Sequence, residues 1–146
     1  MSDRMTHALM LLQQCAYARV LCEFHRRQAP RDGGEGLVPA TADALVDSVR
    51  RLKACDQRWE GMRRMLGADD LARVRVARAL YLQSMRRSAP ARLGPWSDCC
   101  GVDRMPPSHL LEWVSYDLEC MELADLEASM GPEEAALYAC AMDRPA

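Results

Sequence analysis

The chain has 146 residues and a formal net charge of −2, with 49% hydrophobic and 27% charged residues. This length suits a single domain, residues 1–146, that buries roughly two-thirds of its unfolded surface. Seven cysteines, an odd number, and no secretory signal pattern exclude a fully disulfide-paired secreted scaffold and favour a reducing, cytoplasmic setting. The longest uncharged run, residues 5–18, is interrupted by His7, Gln13 and Gln14 and falls short of the ~20 apolar residues of a membrane span, so no membrane partner is expected.

Leu, Ala, Met, Val and Arg dominate while aromatic residues make up only 5%, a mix that favours helices over sheets. Lys53 is the sole lysine among 19 basic residues, a bias that points to a GC-rich bacterial or viral genome. The first helix is predicted from a cap at Ser2 or Asp3 to about Gln28. Met5, Leu9, Leu12, Ala16, Val20 and Phe24 recur at helical spacing, with Leu11, Cys15, Leu21 and Cys22 alongside, an apolar arc broad enough to be buried on most sides.

Two prolines and three glycines between Ala29 and Ala40 predict a loop, with Thr41 capping the second helix. The glycines follow no strand and lack the Gly-Lys-Ser/Thr ending of a phosphate loop. Leu45, Val49, Leu52, Trp59, Met62 and Leu66 form the stripe of this second helix, and Gly67 sits at its C′ position. A third helix follows from Ala68 or Asp69 to about Arg87, with Leu71, Val74, Ala77, Leu80, Tyr81 and Met85 facing inward. The short Gly67 turn implies an antiparallel hairpin of these two helices.

After a connector, Ser108 is placed to cap a fourth helix from His109 to Met130, ended by Gly131 and Pro132. Pro132, Glu133 and Glu134 then open a short last helix with Leu137, Tyr138 and Met142 inward. The predicted fold is therefore all-α, a compact bundle of four main helices plus a short C-terminal helix.

The connector Gly94–His109 carries adjacent Cys99 and Cys100, with Asp98, Asp103 and His109 nearby. Zinc sites and redox dithiols both favour two residues between cysteines, so that the backbone turn aims both sulfurs at one point. Adjacent cysteines read instead as packed connector residues. Cys15, Cys22, Cys120 and Cys140 fall among apolar neighbours and read as small hydrophobes. His7, His25 and His109 form no ligand pair on one helix face, and no Gly-x-Ser-x-Gly elbow is present. The acidic residues Glu112, Asp117, Glu119, Glu122, Asp125 and Glu127 of the fourth helix read as a solvated face. No catalytic residue, metal or cofactor is expected.

Charge is segregated along the chain. Residues 47–92 hold twelve basic and five acidic residues, a net of +7, whereas residues 93–146 hold two basic and eleven acidic, a net of −9. Arg50, Arg51, Arg58, Arg63, Arg64, Arg73, Arg75, Arg78, Arg86 and Arg87 could make the hairpin one continuous basic surface, or the basic and acidic helices could pack against each other. The favoured function is a non-enzymatic interaction module: an adaptor, regulator or chaperone, or in a virus a host-factor binder. It would hold a protein partner through an apolar groove, helped by its ten methionines, or through the Arg-rich helices. The candidate contact residues are Arg50, Arg51, Arg63, Arg64, Arg86 and Arg87, with Trp59 and Trp113 flanking the groove. A homo-oligomer is compatible with the same charge split. The alternative is a nucleic-acid-binding regulator using residues 47–92, against which stand the lack of interleaved aromatics and the acidic fourth helix.

Overall fold

A computed structural model of the chain describes residues 2–33, 39–93 and 107–143. These form α1 (Asp3–Gly33), α2 (Pro39–Met65), α3 (Ala68–Arg87), the one-turn α4 (Ala89–Leu93), α5 (Pro107–Ser129) and α6 (Pro132–Met142), with no strand among the described residues. The four long helices and the C-terminal helix are those expected; α4 is an addition. It is anchored by buried Ala89 and Leu93 and packs on α5.

Local chemistry sets the helix ends. The Ser2 hydroxyl accepts a hydrogen bond from the Met5 N–H at 3.2 Å and so caps α1. This helix runs five residues beyond the expected Gln28, through Pro30, although a proline inside a helix forfeits one ladder bond. Proline also displaces two expected starts. α2 begins at Pro39 instead of at a Thr41 cap, and α5 begins at Pro107, since the first turn has no use for the missing N–H. Gly67 has φ −69° and ψ 162°, so it is the extended N-cap of α3 and not the left-handed C′ residue expected. A Cβ there would meet nothing. Asp69 and Asp70 place negative charge on the first turn of α3. α6 starts as expected, with the Gly131 N–H donating to Glu134 Oε1 at 3.4 Å.

The helices do not pack as sequence order suggested. α2 lies antiparallel along α1, Arg4 Nη1 reaching the Met65 carbonyl at 3.2 Å and Cys15 sharing a cluster with Cys55. α3 lies against α5, α6 and α1 instead of folding back along α2. α2 and α3 meet near their turn, where Leu66, Met62, Leu71 and Val74 close over Met5 and Ala8. The antiparallel α2–α3 hairpin is therefore replaced by two separate packings on α1. Central α1 explains its own broad apolar arc: Met5 and Ala8, then Cys15 and Ala18, then Val20 each enter a different buried cluster. A further cluster joins Ala79 and Leu82 of α3 to Leu123 of α5. Each fully buried leucine here stabilises the fold by about 1.5–3 kcal/mol.

The inward side of α3 also differs from the expected stripe. Val74 is buried, but Tyr81 is 43% exposed, and Val76, Arg78, Ala79 and Leu82 are buried in its place. A helix flanked by three others has no single apolar stripe. On α6, Tyr138 and Met142 are half-buried as expected, whereas Leu137 is 48% exposed.

Candidate functional site

The arginines of residues 47–92 divide into two groups. Arg78 of α3 is only 3% exposed. Its Nε and Nη2 donate to Glu122 of α5 at 2.7 and 2.9 Å, and Nη1 donates to Gln13 of α1 at 2.6 Å. Its guanidinium also lies 5.4 Å from the centre of the Tyr81 ring. Arg75 donates to Glu134 of α6 at 2.7 Å and to Ser129 at 2.6 Å. These residues hold α3 to the acidic helices, so part of the charge segregation is internal packing. Neither Arg78 nor Arg75 contributes to a free basic surface, and Glu122 is not merely a solvated carboxylate.

The second group stays outside. Arg50, Arg51, Arg63, Arg64, Arg86 and Arg87 are exposed. Arg51 pairs with Asp47 at 3.3 Å and Arg63 with Glu60 at 2.9 Å, each within one turn of α2. Because α2 and α3 do not pair along their length, these residues do not lie on one antiparallel hairpin.

Trp59 is half-buried between the Met5/Leu66 and Cys15/Cys55 clusters. Trp113 packs on Val20, Leu110 and Val114, edge-on to Tyr116. Its buried indole N–H has no hydrogen-bond partner among the described residues. Both tryptophans are half-buried and pack against the buried clusters, and neither lines the grooves described next. Cys99 and Cys100, with Asp98 and Asp103, lie outside the described residues, as does the loop centre at 34–38; His109 is half-buried at the start of α5. Among the described residues no group of three or more His, Cys, Asp or Glu side chains is placed to hold a metal ion, and no helix is long and apolar enough to cross a membrane.

What sequence reasoning missed is a face built on α1. Met10, Gln13, Gln14 and Tyr17 are exposed and stand at i, i+3, i+4 and i+7, one outward ridge. On one side, α1 and α2 enclose two clefts of about 500 and 470 Å³, the first lined by Met10, Met62 and Met65, the second by Tyr17, Leu21 and Cys55. Arg58 lines both and Arg51 the second. On the other side, α1 and α3 enclose about 280 Å³ with Leu9, Met10 and Tyr81, and α1, α3 and α5 enclose about 340 Å³ with Tyr17, Tyr81 and Met121 over Arg78 and Glu122. Glu119 and Asp125 line this last cleft. Of the eight large hydrophobics exposed among the described residues, Met10, Tyr17, Met65, Tyr81 and Met121 all border this face. Its edges carry opposite charge, cationic along α2 and anionic along α5. The i, i+7 pair Met10 and Tyr17 was visible in the sequence; which way it pointed depended on the helices that cover the rest of α1.

The α1–α2 side also holds a pair of thiols. Cys15 and Cys55 share one cluster with Ala18, ringed by Leu11, Leu52 and Trp59. Burial, then the neighbouring Cys55 and Asp56, push the Cys15 thiol up to about 11. Arg58 Nη2 donates to Cys55 Sγ at 3.3 Å.

Compared with protein-family models, curated proteins and solved structures, the chain matches none.

Proposed function

We propose that this chain is a non-enzymatic helical interaction module, an adaptor or regulator, and that the α1 face receives an amphipathic helix of a partner protein. The observation that carries this reading is the convergence of Met10, Tyr17, Met65, Tyr81 and Met121 on grooves flanking a single ridge. Methionine side chains are flexible and polarizable and re-pack around different apolar anchors. A docked helix presents its anchors at i, i+3, i+4 and i+7. The fitting partner carries acidic residues on the flank facing Arg51 and Arg58 and basic residues on the flank facing Glu119 and Asp125, which sets its orientation.

Against a nucleic-acid surface, Arg75 and Arg78 are held by carboxylates of α5 and α6, and an anionic edge borders the apolar face. The test places a photo-crosslinking side chain at Tyr17 and, in a second variant, at Arg86, in extract from the native cell with and without nuclease. The expected result is a protein adduct from position 17 that survives nuclease and is abolished by Met10→Glu, with helicity unchanged. Adducts forming only at position 86 and vanishing with nuclease would transfer the function to nucleic acid.

A further inference from the structure

We propose that Cys55 and Cys15 form a peroxide-oxidisable dithiol that closes to a disulfide between α2 and α1. Cys15 and Cys55 belong to one buried cluster, 40 positions apart in the sequence but brought together across the antiparallel seam. Their surroundings are unequal, as a two-step oxidation requires. Cys55, itself only 6% exposed, lines the α1–α2 cleft, and its sulfur accepts a hydrogen bond from the Arg58 guanidinium at 3.3 Å, with Arg51 in the same cleft. A small hydroperoxide entering there meets a sulfur with a guanidinium donor beside it. Cys15 lies deeper, 1% exposed, and burial keeps it a protonated thiol.

The chemistry balances with a hydroperoxide as the oxidant. The Cys55 sulfur attacks the terminal peroxide oxygen; an S–O bond forms, the O–O bond breaks, and the alcohol, or water for hydrogen peroxide, leaves with the proton that the thiol gave up. The Cys15 sulfur then attacks Cys55 Sγ. The S–S bond forms, the S–O bond breaks, and the departing hydroxide takes the Cys15 proton as water. The pair loses two electrons and two protons in all.

The test oxidises the reduced full-length protein with stoichiometric hydrogen peroxide, blocks remaining thiols with N-ethylmaleimide, and maps cysteines by peptide mass spectrometry. The expected main product is an intramolecular Cys15–Cys55 cross-link that forms in the folded protein and loses its preference over other pairings in guanidinium. Cys15→Ser is expected to leave Cys55 as a sulfenic acid trapped by dimedone, whereas Cys55→Ser leaves Cys15 reduced. Arg58→Met is expected to slow Cys55 oxidation several-fold with helicity intact. The proposal is overturned if the folded wild type oxidises at other cysteines while Cys15 and Cys55 stay reduced. It is equally overturned if Cys15 rather than Cys55 yields the trapped sulfenic acid. The wild-type map decides the matter even where a serine variant fails to fold.

Discussion

The two sides of α1 are sealed by opposite means. Against α2 the seam is apolar, with Cys15, Ala18, Cys55, Leu11, Leu52 and Trp59 in contact and exposed charge kept to the α2 surface. Against α3 and α5 the seam is closed around a buried guanidinium, Arg78, that reaches Gln13 and Glu122 at once. The attraction that closes an apolar seam has no direction of its own. The Arg78 seam has one satisfied arrangement, since two oxygens on one helix and one on another must meet a planar fork. The same chain therefore combines a seam fixed around a buried guanidinium with one that is mainly apolar, and the exposed ridge of α1 lies between them.

The comparison breaks most visibly at Glu122. Replacing it by Ala leaves Arg78 buried without a counter-charge and is expected to destabilise the fold by about 3–5 kcal/mol in denaturant unfolding, whereas the double replacement Arg78→Met with Glu122→Leu is expected to recover most of that loss. A cost near zero for the single variant would mean that Arg78 leaves the core. A smaller effect tests the apolar seam. Cys15 holds its proton to about pH 11 in the folded protein, above the value of an exposed thiol near ~8.5. Between these limits the unfolded chain has released a proton that the folded chain keeps, so stability is full below the lower value and falls as pH rises toward 11. Cys15→Ala is expected to flatten this decline relative to wild type; identical slopes would show that Cys15 titrates freely. The smallest effect is expected at the solvent-facing ion pairs. Arg63→Ala, which breaks the i,i+3 pair with Glu60, is expected to change stability by no more than about 0.5 kcal/mol.

Much of this architecture was legible in the chain. The all-α class, the Ser2 cap, the Gly131–Pro132 break and the wide burial of α1 follow from periodicity and capping chemistry, which are local. The role of Arg78 was not legible, because an arginine looks the same in a sequence whether it faces water or Glu122, 44 residues away. Tyr81 and Leu82 exchanged places for a related reason: with α1, α5 and α6 all touching α3, the inward side is set by its neighbours and not by the strongest stripe. The candidate face was half-visible. Met10 and Tyr17 share a helical face by spacing alone, but their exposure depends on α2 covering one flank of α1 and α3 with α5 covering the other.

The central position of α1 also sets a timetable. Synthesis proceeds toward the C-terminus at roughly 5–20 residues per second, so α1 is made before the helices that cover it, and α5, which covers Val20 through Leu110 and Val114, follows well after it. α2 shelters one flank early; the other flank, with Val20 and Phe24, waits for residues some ninety positions downstream. During that interval the nascent chain presents an uncovered apolar strip at Val20 and Phe24, the kind of surface that makes folding intermediates prone to aggregate.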